Sequence, residues 1–125
     1  MTQPFVHLHV HSDFSLVDGV IKIKSLIEES KENEFPSIAL TDQSNMFALI
    51  RFYKAAMEAG IKPICGVDLL IRNDEDLNKP HVIIFLIQNN IGYKNLTELV
   101  SKSYREGQHL GRPMINLDWL TPKSC

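Results

Sequence analysis

A helix-spaced apolar stripe, a proline, a short apolar strand and an aspartate follow one another twice in this chain, and no other feature limits its fold as much. In the first pass Ile23, Leu26 and Ile27 share one helical face, with Glu28, Glu29, Lys31 and Glu32 on the other; Pro36 stops the helix, and residues 37–41 form a strand ending at Asp42. The second pass runs over residues 46–60, with Leu49, Ile50, Tyr53, Ala56 and Met57 as the stripe and Gly60 as the C-terminal cap. A strand through Pro63 then climbs to Asp68. The two aspartates lie 26 residues apart, the length of one helix-plus-strand unit of a parallel sheet, so the chain is expected to be α/β.

Ahead of the repeat, residues 5–11 place His7, His9 and His11 at alternate positions with Leu8 and Val10 between them. In a regular strand that spacing sends all three imidazoles to one side and the apolar residues to the other. A lone histidine is usually a partly buried residue with a backbone partner, whereas an alternating set makes a metal edge, because two rings at i and i+2 can share one ion. His7 is the least secure of the three. Asp18-Gly19 marks a turn after this strand. Further on, residues 73–80 read as a solvated polar loop without a calcium-loop pattern. Residues 81–87 read as a strand, and residues 93–106 as a helix with Leu96, Leu99, Val100 and Tyr104 on one face and Gly107 at its end.

With 125 residues, 44% of them hydrophobic, there is apolar material for one compact domain or part of one. A net charge of −2 with no basic runs gives no sign of a nucleic-acid backbone surface. Cys65 and Cys125 show no C-x-x-C spacing, and there is neither a signal-peptide pattern nor an apolar run of membrane-spanning length. The expectation is a cytoplasmic protein with no membrane partner.

Ligands of parallel α/β folds gather at the carboxyl ends of the strands. His9 and His11 from the first strand, Asp18 from the following loop, Asp42 from the second strand and Asp68 from the third would all reach that rim. A single aspartate at a strand end is more often a turn residue or helix N-cap, and Asp42 ahead of Ser44-Asn45 is a fair N-cap candidate. It is the convergence of segments that favours a metal. A mixed imidazole and carboxylate set suits zinc, manganese or iron, and such centres activate water for phosphate-ester hydrolysis. Ser12 and Ser15 have no base partner in a nucleophile motif, so covalent catalysis is not expected.

Several segments together carry a family resemblance: Phe5-Val6-His7-Leu8-His9-Val10-His11-Ser12-Asp13-Phe14-Ser15, Ala39-Leu40-Thr41-Asp42, Lys62-Pro63-Ile64-Cys65-Gly66-Val67-Asp68 and Gly92-Tyr93-Lys94-Asn95-Leu96. They resemble the PHP (polymerase and histidinol phosphatase) domain, in the branch found at the N-terminus of bacterial DNA polymerase III alpha subunits. The resemblance implies the first half of a distorted seven-stranded β/α, TIM-like barrel, with residues 1–125 a single truncated PHP domain. It implies a divalent metal (zinc, manganese, iron or magnesium) held by His9, His11, Asp18 and Asp68, in a site that is degenerate or has lost its ion. The second motif, usually Thr-Asp-His, reads Thr41-Asp42-Gln43, and glutamine offers only a neutral amide oxygen. His81 joins the ligands only if its strand is bulged or the preceding loop adjusts, since alignment from Gly92-Tyr93 puts Val82 at the ligand position. His7, Asp42 and Gln43 fall to supporting or degenerate roles.

The leading functional expectation is the PHP part of a replicative polymerase alpha subunit, acting mainly as a structural platform. Its partners would be the rest of that subunit, the proofreading exonuclease subunit and the replisome, with DNA reached through the parent only. The parent would be a DNA-directed DNA polymerase whose catalytic residues lie elsewhere, and the isolated piece is expected to self-associate through open strand edges. The alternatives are a metal-dependent phosphoesterase or proofreading exonuclease, and an interaction module with Phe5, Phe14, Phe47 and Tyr53 on a docking face.

Overall fold

A computed structural model describes residues 4–15 and 18–121. Cys125, the end of the C-terminal tail, the first three residues and the Leu16-Val17 part of the first motif lie outside the described residues. The elements are α1 (Ile23–Glu32), β1 (Ser37–Gln43), α2 (Leu49–Ala59), β2 (Lys62–Ile71), β3 (His81–Leu86), α3 (Asn90–Glu106), β4 (Gln108–His109) and β5 (Arg112–Ile115), then a 3-10 turn at Leu117–Trp119.

The repeat folds as its pattern requires. Ile23, Leu26 and Ile27 of α1 are buried and Pro36 precedes β1. α2 ends at Gly60, whose φ of 76° is left-handed and open to glycine at no steric cost; this turn lets the Ile61 N–H donate to the Ala56 carbonyl at 2.9 Å. β1 and β2 pair in parallel from Ser37↔Lys62 to Gln43↔Asp68.

Three local expectations change. α2 starts at Leu49 rather than residue 46, because Asn45 uses its side chain to hold the preceding turn, accepting from the Phe47 N–H and donating to the Phe14 carbonyl. Its buried residues are Leu49, Phe52 and Ala56, while Ile50, Tyr53 and Met57 face outward. The same helix carries two apolar stripes, and α1 and β1 cover the one that contains Phe52. α3 begins at Asn90 because Asn89 caps it, accepting from the Gly92 N–H at 2.9 Å.

β2 is the central strand. β3 returns antiparallel to it from Gly66↔Leu86 to Ile71↔His81, since the loop 72–80 is too short for the crossover that a parallel neighbour needs. β5 pairs in parallel with Leu70 and Ile71, just past the end of the β1 ladder. One apolar cluster fills the space between α1, α2 and β1; a second joins Val67, Leu69 and Ile71 to Leu96, Leu99 and Ile115.

Residues 5–11 do not form a regular strand. The segment lies along β1, with the Ala39 N–H donating to the His7 carbonyl and the Thr41 N–H to the Val10 carbonyl. Three steps on this segment thus match two on β1, which is one extra residue, as in a bulge.

Candidate metal centre

The extra residue decides which histidines meet. A one-residue slip reverses the side-chain parity, so His7 parts from His9 and His11. The His7 ring instead packs edge-on against Phe5 and Phe35, at centroid distances of 4.7 and 5.4 Å, and Val10 packs on the core of α1 and α2. His7 lines the same cavity as His9, His11 and Asp18, but only two of the three imidazoles meet at Asp68.

His9 Nε2 and His11 Nε2 each lie 2.9 Å from the same oxygen, Asp68 Oδ2, and 3.3 Å from each other. Asp68 is buried where the parallel β1–β2 ladder ends, yet inside β2, which runs on to Ile71 rather than stopping at the aspartate as the sequence suggested; His9 is half exposed and opens the site to solvent. His11 Nδ1 lies 3.0 Å from Asp18 Oδ1. A carboxylate can only accept there, so Nδ1 carries the hydrogen, and in the neutral ring Nε2 keeps its lone pair toward Asp68. Lone pairs from an imidazole and a carboxylate facing one another at 2.9 Å repel unless a proton or a metal cation lies between them. Asp68 Oδ1 is also buried with no hydrogen-bond partner, which costs about 1–3 kcal/mol when left unmet. The donor set therefore fits a cation: His9, His11 and Asp68 each offer one ligand atom, all within 4.8 Å of one another.

Asp18 is not part of that cluster, and its contact with the far nitrogen of His11 is the geometry by which an outer carboxylate fixes a ligand ring. Asp42 is buried inside the fold and bonds to Ser12 and Ser15, so it neither lines the rim nor caps α2, whose N-terminus has no side-chain cap. Those contacts, unmarked by any local sequence pattern, also explain the two serines. Gln43 is the register partner of Asp68 in the parallel ladder and so shares its face. His81 is not brought in: the β2–β3 register is continuous, Ile84 stands opposite Asp68, and His81 falls on the other face with Ile83 and Phe85. The bulge that would have turned it inward is absent from this ladder.

Of the proposed docking aromatics, Phe14 packs against the core beneath Arg51, and Phe5 rests on His7 and Phe35. Cys65 is a free thiol within β2, and burial pushes its pKa up. The Tyr104 hydroxyl donates to the Ser44 carbonyl just past β1, and burial raises its pKa as well. Among the described residues no helix is long and apolar enough to cross a membrane.

The PHP domain family model matches residues 7–124, and the chain belongs to that family. It is 47% identical to the DNA polymerase III subunit alpha of Pseudomonas aeruginosa over 120 residues, covering 96% of this chain and 10% of that protein. The corresponding subunits of Borreliella burgdorferi and Escherichia coli K12 are 46% and 42% identical, over 91% and 96% of this chain. The chain spans about a tenth of the length of these curated relatives. Its likeness to the PHP portion of polymerase III alpha subunits is thus borne out, and the phosphoesterase and interaction-module alternatives are not favoured. In fold it is similar to an amidohydrolase of Chromobacterium violaceum, with TM-score 0.62, 22% identity, and coverage of 80% of this chain and 33% of that one. It also resembles a Bifidobacterium adolescentis protein described as a metal-dependent phosphoesterase, with TM-score 0.57 and 16% identity over 80% of this chain and 32% of that one. The α/β expectation stands, with the parallel β1–β2 core at its centre.

Proposed function

We propose that the chain is the PHP portion of a replicative DNA polymerase III alpha subunit and serves that subunit mainly as a structural platform, keeping a reduced divalent-metal centre. The observation that carries this reading is the 47% identity to such a subunit over 96% of the chain. In this reading nucleotidyl transfer belongs to other parts of the polypeptide, and the remaining subunit, a proofreading exonuclease and the cytoplasmic replisome are its partners. Residues 1–125 are read as one truncated domain, the first half of a seven-stranded barrel.

At the site, His9, His11 and Asp68 hold the cation, Asp18 fixes the His11 ring and Gln43 stands where the family motif has histidine. A bound divalent ion would supply Lewis acidity toward a phosphate oxygen or water. The Gln43 amide, neutral and weakly donating, leaves the centre short of one strong nitrogen ligand, which favours a structural over a hydrolytic role. Zinc, manganese or iron suits this donor set better than magnesium, which prefers an all-oxygen shell.

An antibody against this chain tests the reading in cells that encode it. It should capture a polypeptide about ten times as long, and the captured material should extend a primed DNA template with deoxynucleotides. Capture of a short protein without primer extension would refute the proposal.

A further inference from the structure

We propose that Asp42 is a positioning residue for the cation site, acting through the turn that carries His11 and Asp18; the inference rests on the metal-binding reading above. Asp42 is 2% exposed, and a buried carboxylate is retained only where donors surround it. Its Oδ1 accepts from the Ser12 N–H at 2.6 Å, the Ser12 hydroxyl at 2.9 Å and the Ser15 hydroxyl at 2.9 Å, and Oδ2 lies 2.7 Å from the Ser12 hydroxyl. Ser12 and Ser15 are themselves fully buried.

These bonds grip both ends of the turn. Ser12 directly follows His11, so the bond to its N–H sets where the His11 backbone enters the site. At the other end the Ser15 hydroxyl accepts from the Gln43 N–H, while the Ser15 carbonyl accepts from the N–H groups of Asp18 and Gly19. The chain returns so closely that a Cβ on Gly19 would sit 1.6 Å from the Ser12 carbonyl oxygen, so only glycine allows this path. His11 and Asp18 are thus clamped at a separation that closes the 3.0 Å contact between Nδ1 and the carboxylate. Without the Asp42 carboxylate Ser12 and Ser15 lose the acceptor they share, and His11 loses the alignment with Asp18 that keeps Nε2 turned toward Asp68.

The test compares Asp42→Ala and Asp42→Asn with the parent sequence in the full chain. Asparagine keeps an acceptor oxygen for the Ser12 N–H and Ser15 hydroxyl, and the Ser12 hydroxyl can reverse to accept from the new amide. Nitrogen-15 NMR of the metal-free protein reports which nitrogen of His11 is protonated, and calorimetric titration reports zinc affinity. Asp42→Ala should lose the Nδ1–H signature of His11 and weaken zinc binding by about tenfold, the low end for removing an outer partner of a metal ligand. Asp42→Asn should restore most of both. A lowered melting temperature with the His11 signature and zinc affinity unchanged would make Asp42 merely structural and overturn the inference. If the parent sequence itself bound no zinc, the metal reading would fall, and the NMR comparison alone would still decide whether Asp42 sets the His11 geometry.

Discussion

Truncating Phe52 to alanine tests which side of α2 faces the core. Phe52 is 0% exposed at the centre of the first apolar cluster, whereas Ile50, two positions away on the same helix, is 64% exposed. Burying an aromatic side chain removes roughly 150–250 Å² from water, or about 4–6 kcal/mol at about 25 cal/mol per Å². Part of that is recovered as neighbours relax, so Phe52→Ala should cost about 4 kcal/mol. For a domain of this size the loss lowers the melting temperature by roughly 10–20 °C. Ile50→Ala removes a side chain already in water and should cost less than about 1 kcal/mol. Thermal and urea unfolding followed by circular dichroism measure both. If Ile50→Ala proved as damaging as Phe52→Ala, the orientation of α2 and the packing that holds β1 against it would be wrong.

Gln43→His should tighten zinc binding at least tenfold, because the new imidazole shares the face of Asp68, whereas His81→Ala should leave the affinity unchanged because it lies on the opposite face; the reverse ranking in a calorimetric titration would refute the β2–β3 register. The isolated chain should self-associate, since Val82, Ile84 and Leu86 are exposed on the face of β3 that continues the Asp68 side of the sheet. Size-exclusion chromatography with light scattering would show a single sharp monomer peak if that face needs no cover.

Legibility differed from residue to residue for physical reasons. The α1–β1 and α2–β2 units could be read directly because each ends in a punctuating residue, Pro36 or Gly60, whose backbone preference does not depend on context. The stripe on α2 could not, because Ile50, Tyr53 and Met57 repeat at the same period as Leu49, Phe52 and Ala56, and only the position of α1 chooses between them. His9, His11 and Asp68 were legible as a set. The departure of His7 was not, since the extra residue between the His7 and Val10 carbonyls is a property of pairing with β1 and leaves no mark in the local pattern. The rim and N-cap readings of Asp42 failed for a related reason, while its supporting role did not. A strand-end aspartate looks the same whether it reaches outward to a rim or inward to Ser12 and Ser15, and its partners lie about thirty residues away in sequence.

Whether His9, His11 and Asp68 hold an ion is decided by the zinc stoichiometry of the purified chain, measured by equilibrium dialysis and elemental mass spectrometry, beside that of Asp68→Asn. One zinc per chain is expected for the parent sequence and none for the variant, with both proteins folded by circular dichroism. A folded parent chain that holds no zinc, or equal zinc in both proteins, would contradict that expectation.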